Sequence, residues 1–245
     1  MRRPVLLVVA HGSRDPRHAA TVHELVRRVR ALRPGLRVET GFLDFNVPSV
    51  NDVLESLDAE GVRDVVALPL LLTRAFHAKA DIPAVLAEAP PRLRIRQAEV
   101  LGPSPLLLAA LERRLYEAGL TPADKSSTGV VLASAGSSDP EAIAVIADVA
   151  REWRHTGWCA VRPAFASASL PRTEQAVREL RELGCARVAV APYVLAPGRL
   201  PDRIARGAAG ADVLADVLGP APEVAQVLLE RYDAARTPVL TALGA

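Results

Sequence analysis

The second half of this chain repeats the landmarks of the first half in the same order, and this repetition restricts the possible folds. The segment VVLASAGSSDP (130–140) aligns with LLVVAHGSRDP (6–16), and ADVLGPAP (215–222) repeats AEVLGPSP (98–105). Other residues recur at nearly one offset, namely Phe42, Pro48, Gly61 and Pro69 in the first half and Phe165, Pro171, Gly184 and Pro192 in the second. Landmarks shared in one order indicate an internal duplication.

Short apolar runs alternate with segments of helical periodicity in the first half. The run VLLVVA (5–10) predicts a buried strand, and the apolar spacing over 18–33 predicts a helix. Further strands are predicted in RVETGFL, DVVALPLLL and LRIRQAEV, and further helices in VNDVLESLDAEG, IPAVLAEA and PLLLAALERRLYEAG. This alternation is typical of right-handed βαβ units around a parallel sheet. We predict an α/β protein of two homologous, doubly wound domains, residues 1–122 and 128–245, with a linker at 121–128 and a cleft between the domains.

Three side chains that can bind metal or move protons follow the first three predicted strands. His11 follows the first strand, Asp44 ends the second, and the loop after the third carries His77. Because ligands bind beyond the carboxyl ends of strands in open parallel sheets, we expect the three on one rim. Two imidazoles and a carboxylate suit Co²⁺, Fe²⁺ or Ni²⁺, and imidazole also transfers protons near neutral pH. The alternative is structural: a turn residue at His11, a solvated His77, and a helix cap at Asp44.

The second half provides an internal control for these residues. The counterparts of His11, Asp44 and His77 are Ala135, Ser167 and a position near Leu200. The glycine, serine, aspartate and proline of the first turn are kept in both halves, so the turn does not require a histidine. We therefore predict that the metal and catalytic site lies in the first domain and that the second domain lacks its residues.

Composition argues against several other classes of protein. The longest apolar runs fall short of the roughly 20 residues that a membrane span needs, so we expect a cytoplasmic protein without a membrane partner. A net charge of +2 gives no reason to predict a nucleic-acid partner. The chain lacks GxxxxGK[ST], and GxGxxG does not follow the first strand, so we predict no nucleotide or organic cofactor. Cys159 and Cys185 lack CxxC spacing and are interpreted as small apolar residues without a role. We expect a monomer, with a dimer as the alternative.

Three segments together resemble the sirohydrochlorin chelatase family. They are HGSRDP after the first strand, FLDFNVPSV after the second, and PLLLTRAFHAKADIP after the third. The resemblance covers the whole chain, because long members of that family are duplicated and keep their active site in one half. It implies a chelatase-like fold and the insertion of Co²⁺ or Fe²⁺ into a tetrapyrrole in cobalamin or siroheme biosynthesis.

The resemblance also implies roles for individual residues. His11 and His77 match the two histidines of the family's metal site, whereas Asp44 stands where the family usually has glutamate. A tetrapyrrole with carboxylate side chains requires cations, since guanidinium groups bind carboxylates in bidentate fashion. The predicted substrate-binding residues are Ser13, Arg14, Arg74, Lys79, Arg199 and Arg203. For Ser13 a capping role is the alternative, and the arginines could be solvated surface residues.

Two other functions are compatible with parts of this pattern. A phosphate-transferring histidine enzyme also places His-Gly after a first strand, but we would expect arginine just before the histidine, where this chain has Ala10. A non-catalytic metal or tetrapyrrole carrier would use the same residues as a chelatase. Measured turnover distinguishes a carrier from a chelatase.

Overall fold

A computed structural model of the protein describes residues 3–74 and 77–236, without the side chains of residues 77 and 78. The elements of the first half are β1 (Val5–Ala10), α1 (Pro16–Leu32), β2 (Val38–Phe42), α2 (Val50–Ala59), β3 (Asp64–Pro69), α3 (Ile82–Ala87), β4 (Arg94–Gln97) and α4 (Pro105–Glu117). The second half contains β5 (Thr128–Ser134), α5 (Pro140–Arg154), β6 (Ala160–Phe165), α6 (Thr173–Glu182), β7 (Arg187–Tyr193), α7 (Arg199–Gly207), β8 (Val213–Leu214) and α8 (Pro222–Arg236). The predicted strands and helices of the first half are confirmed.

The strands form two parallel sheets with the same topology. Their orders are β2-β1-β3-β4 and β6-β5-β7-β8. The central strands β1 and β5 are buried along their whole length, which explains why they read as continuous apolar runs rather than alternating ones. The predicted α/β fold with two doubly wound sheets is confirmed. The predicted linker forms a 3₁₀ helix over Pro122–Ser127 and leads directly into β5.

The helices that end the two halves are exchanged between the sheets. Helix α8 packs against β3 of the first sheet and against α1, whereas α4 packs against β7 of the second sheet. On α8, the Tyr232 hydroxyl donates to the Pro4 carbonyl at 2.7 Å, and the Arg231 guanidinium donates to the Val100 and Leu101 carbonyls at 2.9 and 3.0 Å. One apolar core therefore runs between the sheets and contains residues of both halves.

Candidate active site

The turn after the central strand is built in the same way in both halves. Gly12 and Gly136 have φ of +92° and +90°. A Cβ at either position would overlap the carbonyl oxygen of the neighbouring loop and lie 2.9 Å from its carbon, on Asp44 and Ser167 respectively. Only glycine fits such a close approach of two backbones at positive φ without strain. The turn is therefore a backbone device that both halves require.

The backbone turn carries a different side chain in each half. His11 lies directly after β1, and the Asp44 N–H donates to the His11 carbonyl at 2.9 Å. Across the cleft, the Ser167 N–H donates to the Ala135 carbonyl at 3.0 Å in the same arrangement. The strand-end regions of β1 and β2 thus meet on one rim. The imidazole of His11 is an addition to a turn that also forms with alanine.

Asp44 lies beside His11 in the backbone, but its carboxylate is on an exposed loop. Its Oδ1 accepts a hydrogen bond from the Phe45 N–H at 2.8 Å. The alternative that Asp44 caps the following helix is wrong, because Ser49 caps α2 and forms a capping box with Asp52. The sequence signal for the start of α2 was the pair Ser49 and Asp52, three residues apart, which is the spacing of a capping box.

The predicted third ligand, His77, falls at the edge of the described structure. Its backbone begins a short π-helical segment, His77–Asp81, which follows β3 and leads into α3. Its side chain lies outside the described residues. Within residues 3–74 and 77–236, groups of three or more His, Cys, Asp or Glu side chains placed to hold a metal are absent. The ligand set of His11, Asp44 and His77 therefore remains a prediction.

A cleft of about 300 Å³ lies between the two halves and is lined by both. His11 contributes from the first half, and Ala135 and Leu200 contribute from the second. The counterparts that replace the histidines therefore face the same cleft as small or apolar side chains. Apolar residues of α1, α5 and the segments after β3 and β7 complete most of the lining, among them Val22, Leu25, Leu70, Ile143, Ile146 and Val194. An apolar cleft with few polar groups is typical of small-molecule sites.

His18 also lines this cleft, although the sequence indicated only a residue on a helix face. It lies in the first turn of α1, four residues before Val22, which lines the cleft on the same face. Burial, followed by electrostatic repulsion from the neighbouring His11 imidazole, lowers the pKa of His18. Its Nδ1 is buried and has no hydrogen-bond partner within the described part of the chain. The four-residue spacing to Val22 was the signal that could have placed His18 in the cleft.

Phe45 is a second residue that the sequence did not single out. It has φ of +62° and lies half exposed at the rim, and its ring is 6.4 Å from the His11 ring in an edge-to-face arrangement. The guanidinium of Arg14 lies over the same ring at 5.0 Å. The second half has Ala168 at φ +58° in the corresponding loop position. The two halves thus share this backbone conformation, but the aromatic ring is present in the first half, beside His11, and is replaced by a methyl group in the second.

Other predicted substrate-binding residues have varied surroundings. The Ser13 Oγ accepts from the Asp15 N–H at 3.1 Å, and Ser137 does the same for Asp139 in the second half. Asp15 and Asp139 cap α1 and α5, so each serine stabilises the turn before its helix and is not the helix cap. Arg74 is exposed and lies 3.7 Å from the Glu99 carboxylate. Arg199 and Arg203 are exposed on α7, beside the cleft-lining Leu200, and neither makes an ion pair with another described residue.

Lys79 crosses from the first half to the second. Its ammonium group lies 2.8 Å from the Asp139 carboxylate and 2.7 Å from that of Glu141, and both hydrogen bonds raise the pKa of Lys79. Arg17 makes a similar link, 3.2 Å from the Asp202 carboxylate on α7. A substrate carboxylate could bind Lys79 only in competition with these two acidic residues.

The chain is similar to known proteins over most of its length. The family model for CbiX matches residues 5–118 and 129–235. The sirohydrochlorin cobaltochelatase of Priestia megaterium is 32% identical over 207 residues, which cover 81% of this chain and 66% of that protein, slightly less than two thirds of its length. The sirohydrochlorin ferrochelatase of Bacillus subtilis (strain 168) is 27% identical over 210 residues, with 83% of this chain and 78% of that protein covered.

The fold is similar to that of a solved structure. SirB from Bacillus subtilis with Fe³⁺ superposes with a TM-score of 0.83 at 24% sequence identity, and 96% of each chain is covered. The helices within residues 3–74 and 77–236 are all too short or too polar to cross a bilayer.

Proposed function

Because this chain belongs to the CbiX family, we propose that it is a chelatase that inserts Co²⁺ or Fe²⁺ into sirohydrochlorin. The reaction is of the lyase class in the direction of metal release. In the direction of insertion, a divalent metal ion enters the macrocycle and two pyrrole N–H protons leave. The metal ion is a substrate, and the same ligand types also accept Ni²⁺.

One observation carries the proposal at the level of the site. The same glycine turn is built twice around one cleft, and the first copy places an imidazole where the second has Ala135. An imidazole can hold a divalent ion and release it, and it can take a proton from a pyrrole N–H near neutral pH. We assign these two tasks to His11 together with His77. Asp44 completes the metal shell or orients one imidazole.

The remaining walls of the cleft suit a flat, carboxylate-bearing ring system. The apolar lining excludes water from the macrocycle face, and the Phe45 ring at the rim offers a further surface for it. Exposed guanidinium groups at Arg14, Arg199 and Arg203 are available for the carboxylates. The second half thus acts as the opposite wall of the site. This division of roles between residues 1–122 and 128–245 is part of the proposal.

The proposal is tested by following metal insertion through the absorption spectrum of sirohydrochlorin, under anaerobic conditions, with Co²⁺ as the metal. The change His11→Ala should lower the rate by roughly 10²-fold or more, the range found when an acid–base group is removed. The matched control is His155→Ala, since His155 is exposed at the C-terminal end of α5. Circular dichroism checks that both variants fold. A His11→Ala rate within twofold of the His155→Ala rate would refute the assignment.

The same assay separates a chelatase from a carrier. A chelatase forms many equivalents of metallated product per chain, whereas a carrier stops at a stoichiometric amount. The cytoplasmic location and the lack of a nucleic-acid partner remain predictions. So does the monomeric state, which size-exclusion chromatography with light scattering would test.

A further inference from the structure

Two cysteines that the sequence left without a role lie side by side in the second half. Their sulfur atoms are 3.6 Å apart, with Cys159 just before β6 and Cys185 just before β7. Cys159 is exposed and Cys185 is buried. We propose that Cys159 and Cys185 are a peroxide-sensitive thiol pair that forms a reversible disulfide across the amino end of β5.

The contact exists because β5 has a glycine where the two cysteines meet. Cys159 and Cys185 belong to segments on opposite sides of β5. A Cβ on Gly129 would lie 2.8 Å from the Cys185 Sγ and 3.3 Å from its Cβ, too close for either to remain in place. The missing side chain leaves the space through which Cys185 reaches Cys159. The pair is therefore a product of the sheet and not of sequence spacing.

The two thiols differ in the way that such a reaction requires. The exposed Cys159 can meet a dissolved hydroperoxide, while burial raises the pKa of Cys185 and keeps it in the thiol form. The Cys159 thiolate attacks the O–O bond of hydrogen peroxide, which gives a sulfenic acid and hydroxide. The Cys185 sulfur then attacks the Cys159 sulfur, the S–O bond breaks, and the Cys185 thiol proton leaves with the sulfenic hydroxyl as water. In total two thiols lose two protons and two electrons, and one peroxide becomes two waters.

The sulfur atoms must approach from 3.6 Å to about 2.05 Å, the length of a disulfide. The proposal requires the exposed Cys159 side chain to rotate toward Cys185 and close this gap. The bond would clamp β6 to β7 at the amino ends of the strands, roughly 20 Å from their carboxyl ends for a seven-residue strand. Because the cleft lies at the carboxyl ends, the bond should leave metal insertion unchanged.

The test treats the native, full-length protein with hydrogen peroxide and measures intact mass and free thiols. We expect a mass decrease of about 2 Da, a fall in free thiols, counted after unfolding in denaturant, from two to none, and full reversal by dithiothreitol. The oxidised protein should remain a monomer on a non-reducing gel, and its Tm should rise by roughly 4–12 °C. Mass gains of about 16 or 32 Da, covalent dimers, two remaining thiols or an unchanged Tm would each overturn the proposal.

Two variants serve as matched controls. In Cys185→Ser the exposed thiol has no partner, so peroxide should add oxygen to Cys159 and leave Tm unchanged. In Cys159→Ser the buried thiol should survive the same treatment and react only after unfolding. A Cys185 thiol that oxidises as fast alone as in the wild type would contradict the pair mechanism. None of these readouts depends on chelatase activity, so the proposed function can fail without affecting this result.

Discussion

Replacing Gly12 by alanine should destabilise the protein strongly and also impair the site. A non-glycine residue at φ +92° costs about 1–2 kcal/mol, by analogy with the left-handed region. The new methyl group also overlaps the Asp44 carbonyl oxygen, so the Asp44 loop must move. Overpacking of this kind typically costs about 1–3 kcal/mol, and loss of the Asp44–His11 backbone hydrogen bond about 1 kcal/mol. We expect a total loss of about 3–6 kcal/mol, or roughly 6–24 °C in Tm.

The chain contains two controls that separate the causes. Gly35 has φ of +83°, and apart from its two neighbours in the chain no described residue comes within 4 Å of a Cβ placed there, so Gly35→Ala measures the conformational cost alone. Gly136→Ala reproduces the overlap in the second half, at a turn without a histidine. The free energy of unfolding comes from urea titrations of all three variants. We expect Gly12→Ala and Gly136→Ala to agree within about 1 kcal/mol, and Gly35→Ala to lose only the conformational cost of about 1–2 kcal/mol.

Activity then distinguishes the two destabilised variants. Measured well below both values of Tm, Gly12→Ala should lose at least about tenfold more kcat/KM for Co²⁺ insertion than Gly136→Ala, because only the first displaces His11. Equal losses in the two variants would refute the assignment of the site to the first turn. A Gly12→Ala protein as stable as Gly35→Ala would refute the steric argument itself.

Further predictions concern substrate binding, pH, chain length and the carboxylate. Arg199→Ala should raise KM for sirohydrochlorin more than it lowers kcat, in steady-state assays beside Arg151→Ala, an exposed arginine on α5. The pKa of His18 is lowered from 6.5, so the unfolded chain binds this proton more tightly. The stability contributed by neutral His18 should be complete above pH 6.5 and should be lost as the pH falls through the lowered pKa. The free energy of unfolding should therefore fall less between pH 7 and pH 5 in His18→Gln than in the wild type. An equally steep fall in both proteins would contradict this. Residues 1–122 alone should not give a cooperative urea transition by circular dichroism, because α8 is missing from the first sheet. Asp44→Ala should lower the insertion rate. Its free energy of unfolding should stay within about 0.5 kcal/mol of the wild-type value, since Asp44 is exposed and caps no helix. Full activity of this variant would exclude Asp44 from the site.

Local sequence patterns were sufficient to predict many of the strands and turns of this protein. The apolar runs of β1 and β3 predict buried parallel strands, because strands covered on both faces carry little polar alternation. The repeated glycine at 12 and 136 predicts a turn at positive φ, since the constraint lies in a few consecutive residues. The rim shared by His11 and Asp44 also followed from sequence, because parallel strands end at one edge of a sheet.

Tertiary structure decided the contacts between distant segments. Sequence repeats place α4 and α8 in equivalent positions, but they carry no information about which sheet each helix covers, and the two helices are exchanged. The same applies to Lys79. Its sequence position predicts a substrate-binding residue, but the position gives no sign that its ammonium group lies between two carboxylates of the other half. Apolar burial is non-directional, so periodicity identifies the face that is buried and not the partner that buries it. The contact between Cys159 and Cys185 has the same origin, because it depends on Gly129 of a third strand.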